Sequence, residues 1–259
     1  MPEPATTSAP AIEFRETGYS IPAKEPRSIL NGISLCIADG EVVAILGRSG
    51  SGKTSLLKLI NRILRFTSGD VLVGGKSVSD WNLIQLRRGI GYVIQETGLF
   101  PHLTVKENVC IVPELEGWPR DRTRLRFYDV MALVGLNADE YGKRYPRELS
   151  GGQRQRVGVA RALAADPRIL LMDEPFGALD PITRAELQQV FLDLSRRVSK
   201  TIVLVTHDLR EALLLGTRVV LLNGGHVAAS ASPDDFLRLD QPAVREFIAA
   251  SELRVRQAI

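Results

Sequence analysis

No apolar run in these 259 residues approaches the ~18 that a membrane-crossing helix requires. The start, MPEPATTSAPA, lacks a basic segment followed by an apolar one, so it does not read as a secretory leader. Any link to a membrane is therefore expected through a partner. Cysteine is scarce. Cys36 and Cys110 are far apart and have no metal-ligand spacing, which excludes a disulfide framework and points to a reducing compartment. Charge of one sign is lacking too: 33 basic residues oppose 30 acidic ones, and they are scattered, so nothing argues for a nucleic-acid partner. Internal repeats and heptad runs are absent.

What is present is enough apolar content, 44%, to bury one substantial core or a core with a subdomain. Residues Met1 to Ala11, rich in Pro, Thr, Ser and Ala, are expected to be disordered. Alternating segments around Ile12–Arg15, Ile33–Ile37 and Asp70–Val73 suggest an antiparallel sheet in the first half. Helical pattern dominates between Leu103 and Ala165, and strand–helix alternation after it implies a parallel sheet with helices on both faces. One helix is expected over Thr183–Val198, with Asp180 as N-cap. Another is expected over Leu209–Leu215, with Asp208 and Glu211 in capping-box spacing and Gly216 as the stop.

The most informative stretch is Gly47-Arg48-Ser49-Gly50-Ser51-Gly52-Lys53-Thr54, which fits G-x-x-x-x-G-K-[ST]. It follows the apolar run Val42–Leu46 and leads into helical spacing from Thr54 to Leu64. Glycines let backbone amides turn inward and a helix N-terminus favours negative charge, so the segment is a phosphate cradle. In that cradle Lys53 would reach the β- and γ-phosphates and Thr54 would ligate magnesium. Three more apolar strands end in polar residues: Ile90–Ile94 before Gln95, Ile169–Met172 before Asp173 and Glu174, and Ile202–Thr206 before His207. Ligands of open α/β sheets sit beyond the carboxyl ends of the strands, so these ends should share one crevice. Phosphoryl transfer to water needs a metal, an oriented water and donors near the γ-phosphate. Asp173 suits the metal and Glu174 the attacking water. Gln95 would touch either one, and His207 would hold both the γ-phosphate and Glu174.

Leu149-Ser150-Gly151-Gly152-Gln153 opens a further helix, a second anion site by the same dipole argument. Together with the cradle, Gln95, Asp173-Glu174, Ala178-Leu179-Asp180 and His207, it resembles the ATP-binding subunit of an ABC transporter over roughly residues 12–240. The resemblance implies a P-loop NTPase of the α/β class: a RecA-like parallel core, an antiparallel β subdomain and a helical subdomain at about 96–165, followed by a short C-terminal helical tail at 241–259. It implies ATP and Mg2+ as ligands. It also implies a dimer in which Ser150, Gly151, Gly152 and Gln153 of one chain meet the cradle of the other, with Asp180 between the sites. An aromatic ring near the N-terminus stacks on adenine in that family. Tyr19 is the candidate, although the segment to Ile29 is longer than usual and a core role is equally open.

Arg87–Gln95, Gly98–Val105 and Val112–Trp118 resemble the ATPases of glycine betaine, choline and other osmoprotectant importers. That likeness implies permease subunits, docked at Phe100, Pro101 and His102, a solute-binding protein, and a place on the cytoplasmic face of the inner membrane. Many such ATPases carry paired C-terminal regulatory domains, whereas this chain ends at Ile259. The alternatives are another cargo (amino acid, phosphonate or lipid) or a soluble ABC ATPase of translation or DNA repair.

Overall fold

The computed structural model describes residues 9–22, 27–95, 98–177, 179–197 and 199–257, with side chains described to residue 251 at the C-terminal end. The first eight residues of the expected tail, Ala178 and Val198 lie outside them. In chain order the strands are β1 (Ile12–Ile21), β2 (Arg27–Ile37), β3 (Val42–Leu46), β4 (Ser68–Val73), β5 (Lys76–Ser77), β6 (Ile90–Val93), β7 (Ile169–Asp173), β8 (Thr201–Thr206), β9 (Arg218–Asn223) and β10 (His226–Ala231). The helices are α1 (Lys53–Ile60), α2 (Leu83–Arg88), α3 (Val105–Leu115), α4 (Arg120–Leu133), α5 (Ala138–Tyr141), α6 (Gly151–Ala164), α7 (Pro181–Arg197), α8 (Leu209–Leu215), α9 (Pro233–Phe236) and α10 (Pro242–Gln257).

Two sheets result. The central one runs β10-β9-β3-β8-β7-β6, and the second, antiparallel throughout, runs β2-β1-β4-β5. In the central sheet β9, β3, β8, β7 and β6 are mutually parallel and β10 closes the edge antiparallel. Its inner strands β3, β7 and β8 are almost continuous apolar runs because both faces are covered. Ile169, Leu171, Val203, Val205, Val43 and Ile45 point to one cluster with α1 and the antiparallel sheet. Their neighbours Leu170, Met172, Ile202 and Leu204 point to the opposite cluster, which α3, α4, α6 and α7 complete. Ala44 and Leu46 face a third cluster built with α8, α9 and α10. The period of two thus sends alternate residues of one strand into different cores.

Three local expectations change. Ala11, placed in the tail by composition, is buried, and its carbonyl accepts from the Gly74 N–H at 3.0 Å. The helix after the glycine loop stops at Ile60 rather than Leu64, because Arg62 takes a left-handed φ of 52° and Ile63 turns outward, 48% exposed. Helix α6, expected over Arg154–Ala165, begins at Gly151 itself, with Ser150 as N-cap.

Candidate active site

Four parallel strands deliver their carboxyl ends to one edge in near register: Leu46 pairs with Thr206, Asp173 with Val205 and Val93 with Met172. At that edge Lys53 is 5% exposed. Its ammonium donates to the carbonyls of Gly47 at 2.8 Å and Arg48 at 3.1 Å, folding the loop around it. Burial pushes its pKa down, and the nearby Glu174 and Asp173 carboxylates oppose that. Thr54 Oγ1 donates to Asp173 Oδ1 at 2.9 Å. Asp173 is 4% exposed, and burial raises its pKa against the hydrogen bond from Thr54.

Glu174 carries a left-handed φ of 45°. Its N–H donates to Val205 O at 3.0 Å, tying it to the neighbouring strand. This turn swings its carboxylate back over the loop, with Oε1 3.8 Å from Lys53 Nζ and Oε2 3.1 Å from His207 Nδ1. A non-glycine residue in this region costs about 1–2 kcal/mol, and the bond to Val205 on β8 holds it in place. The positions from three separate segments therefore meet: Gly47 to Thr54, Asp173 with Glu174, and His207.

Others do not join them. The strand expected to deliver Gln95 ends at Val93, and Gln95 lies exposed in the following turn with no side-chain hydrogen bond among the described residues. The residue of β6 that reaches the site is Tyr92, whose hydroxyl donates to Asp173 Oδ2 at 3.5 Å. Alternation along a short strand gave no signal for it. Tyr19 lies on β1, half-buried against the core cluster between the sheets and paired with Leu30. The Ser150 turn closes on itself: Ser150 Oγ accepts from Gln153 N at 3.2 Å, Gln153 Oε1 accepts from Ser150 N at 2.9 Å, and Gln153 Nε2 donates to Tyr141 at 3.2 Å. Among the described residues no hydrogen bond joins this turn to the glycine loop of the same chain. Gly152 abuts Thr183 on α7, and Thr183 N donates to Asp180 Oδ1 at 3.1 Å, so the serine turn and the Asp180 cap are neighbours.

A cavity of about 310 Å³ opens at the loop, with Arg48, Ser49, Glu174 and His207 on one wall and Phe247, Ala250 and Ser251 of α10 on the other. The helix is further held by Glu246 Oε1, which accepts from Arg48 Nη2 at 2.9 Å. Where a short helical tail is expected from the sequence, α10 runs for 16 residues. Val244, Phe247 and Ile248 do keep i, i+3, i+4 spacing, and that was the available signal. Along the β6 edge of the sheet a groove of about 410 Å³ runs past Arg88, Tyr92, Ile94, Phe100 and Leu115. Phe100 is 41% exposed and stands edge-on to His102, with ring centroids 6.1 Å apart. The fully buried Asn108 holds this loop. Its Oδ1 accepts from Phe100 N at 2.7 Å, and its Nδ2 donates to the carbonyls of Phe100, Leu103 and Thr104 at 3.0–3.1 Å.

The donor set suits an anionic group. The buried Ser51 hydroxyl has no hydrogen-bond partner, and the Lys53 charge is met by backbone carbonyls, with a carboxylate no nearer than 3.8 Å. Among the described residues no group of three or more His, Cys, Asp or Glu gathers to hold a metal unaided. One hydroxyl and one carboxylate, completed by phosphate oxygens and water, is how Mg2+ is commonly held.

A family described as ABC transporter matches residues 30–177. The osmoprotectant import ATP-binding protein OsmV of Salmonella typhimurium is 47% identical over 226 residues, covering 87% of this chain and 58% of that protein. The glycine betaine uptake system ATP-binding protein YehX of Escherichia coli is 48% identical over 248 residues, covering 95% of this chain and 79% of that one. This chain thus spans less than two thirds of the Salmonella protein's length. Among solved structures, the dimeric post-hydrolysis state of the cassette MJ0796 with ADP and phosphate superposes with a TM-score of 0.77. It is 33% identical and covers 86% of this chain and 98% of its own.

Proposed function

The chain belongs to the ABC transporter family, with the fold of its ATP-binding subunits, and on that premise we propose that it hydrolyses ATP to energise the import of quaternary amines and related osmoprotectants. The observation that carries the hydrolytic reading is the meeting of Lys53, Thr54, Asp173, Glu174 and His207 at one sheet edge. Lys53 and the loop amides bind the β- and γ-phosphates, and the dipole of α1 adds to their field. Thr54 and Asp173 hold Mg2+, which when bound offsets phosphate charge. Their mutual 2.9 Å hydrogen bond keeps both oxygens at one place. Glu174 orients the attacking water and takes up its proton, and His207 fixes the Glu174 carboxylate through the 3.1 Å contact. Gln95, exposed beyond β6, reports the site's state to the groove above it.

Ser150, Gly151, Gly152 and Gln153 act on a second copy of the chain. The dimeric neighbour supports this, as does the absence of bonds between that turn and its own loop among the described residues. Asp180 sits beside the turn. Tyr19 is retained as the candidate adenine platform. The loop of Phe100, Pro101 and His102 docks a permease subunit, which places the chain at the cytoplasmic face of the inner membrane, with a solute-binding protein completing the importer. No helix among the described residues is long and apolar enough to cross a membrane, so attachment falls to that partner. The cargo follows from the relatives' names, osmoprotectant import and glycine betaine uptake.

Glu174→Gln tests the chemistry: turnover is lost while ATP binding persists in a stable dimer. Undiminished hydrolysis in that variant rejects the role of Glu174. Co-purification with the permease, reconstitution in liposomes and stimulation of ATPase activity by betaine or choline test the cargo. Stimulation by an amino acid and by neither amine assigns the chain to another importer.

A further inference from the structure

Glu211 stands where a capping-box partner of Asp208 was expected, but its carboxylate goes elsewhere. Asp208 caps α8 alone, accepting from Arg210 N at 2.8 Å. Glu211 is only 5% exposed, and its two oxygens take separate partners. Oε2 accepts from Thr206 Oγ1 at 2.6 Å, and Oε1 accepts from Gln188 Nε2, on α7, at 3.2 Å. Thr206 Oγ1 accepts in turn from the Asp208 N–H at 3.0 Å. His207 is thus bracketed by Thr206 and Asp208, which the Thr206 hydroxyl joins while the buried Glu211 carboxylate holds that hydroxyl, and its Nδ1 lies 3.1 Å from Glu174. Beside them is a pocket of about 20 Å³, lined by Glu174, Arg184, Thr206, His207 and Glu211, with room for about one water. Burial and the neighbouring Asp208 push the Glu211 pKa up, while the bond from Thr206 and the charges of Arg184 and His207 oppose this. Helix α7 is the one capped by Asp180. On α7, Arg184 donates from Nη2 to Leu179 O at 3.1 Å, and its buried Nε has no partner.

We propose that Glu211 is a positioning residue of the hydrolytic site: it sets the Thr206–Asp208 turn so that His207 stays on Glu174, and through Gln188 it ties that turn to the helix behind Asp180. The inference rests on the reading of Glu174 and His207 given above. It excludes direct contact with nucleotide, so the signature is a loss in kcat at nearly constant KM.

The test is steady-state hydrolysis of MgATP by the full chain, with thermal unfolding of each variant as a check on folding. Glu211→Gln keeps an oxygen for the Thr206 hydroxyl and retains activity to within about threefold. Glu211→Ala and Thr206→Val each lower kcat by about tenfold or more and move KM by less than about twofold. Thr206→Ser restores the bond and the rate. The double variant Glu211→Ala/His207→Ala is no slower than His207→Ala, since Glu211 acts only through that imidazole. Losses that multiply in the double variant overturn the proposal, as does full turnover by folded Thr206→Val. If Glu211→Ala does not fold, Thr206→Val, which removes one hydroxyl from β8, carries the decision. Normal turnover by His207→Ala rejects the hydrolytic role of His207 itself, an outcome separate from the Glu211 comparisons.

Discussion

Gly50 and Gly52 lie two residues apart in one loop, both with left-handed backbone, yet alanine should affect them differently. Gly50 has φ +80° and nothing within 4 Å of where a Cβ would stand. Alanine there meets only the dihedral penalty, about 1–2 kcal/mol. Gly52 has φ +100°, and its Cβ would stand 2.6 Å from Leu30 Cδ2 and 3.1 Å from the carbonyl oxygen of Ile29. Leu30 is 1% exposed in the packed cluster between the sheets, and the carbonyl belongs to β2, so neither can withdraw cheaply. Overpacking of this kind adds about 1–3 kcal/mol, for a total of about 2–5 kcal/mol. Gly52 also caps α1, its carbonyl accepting from Leu56 N at 2.9 Å, so relief of the clash shifts Lys53 and Thr54. Urea unfolding of the two variants measures the difference, and titration with a fluorescent ATP analogue measures the consequence. Gly52→Ala should be less stable than Gly50→Ala by about 1–3 kcal/mol and should lose more nucleotide affinity. Equal stabilities, or a more stable Gly52→Ala, would refute the account of the loop as packed against β2.

Asn108→Ala strips the Phe100–Thr104 loop of its central support and leaves the part-buried Phe100 N–H and Leu103 carbonyl without partners, a loss of about 2–4 kcal/mol in denaturant unfolding. Asn108→Asp, which keeps only the acceptor, should fall nearly as far; wild-type stability in either variant contradicts the role of Asn108. Tyr92→Phe removes a contact as long as 3.5 Å, so stability should change by less than about 1 kcal/mol and turnover by less than about twofold; a tenfold loss would mean that the hydroxyl acts in the chemistry. The pKa of Glu211 is raised by burial, so the folded state holds its proton more tightly than the unfolded one. Stability therefore falls as pH rises from the unfolded through the folded pKa. Glu211→Gln lacks that dependence, and its stability relative to wild type should improve as pH rises above the ordinary carboxylate range; a flat or declining difference rejects it.

Much of the site was legible because its parts are local. A glycine loop after an apolar strand, an acid pair after another and a histidine after a third are contiguous patterns, and the period-two burial of β3, β7 and β8 follows from the same runs. The misses have a common form. Tyr92 meets Asp173 across the chain, Asn108 folds a nearby loop through backbone bonds that no motif marks, and the spacing of α10 announces a helix but not its place at the cleft. Gln95 is expected at the site because it follows a strand, but β6 ends a residue early and the residue lies exposed in the turn after it. Glu211 was misread for a related reason. Its spacing fits a capping box, but burial beside Thr206 and Gln188 offers its oxygens closer donors.

The amino-acid order alone determined that a phosphate cradle, a carboxylate pair and an imidazole each follow a buried strand, since glycine dihedrals, apolar runs and helix caps act over a few residues. Only the tertiary structure decided which of these meet, with Glu174 turned back over Lys53 and onto His207. It also decided that a helix near the C-terminal end walls the cleft. Strand order and register are set by packing between distant segments, and local propensity carries no record of that.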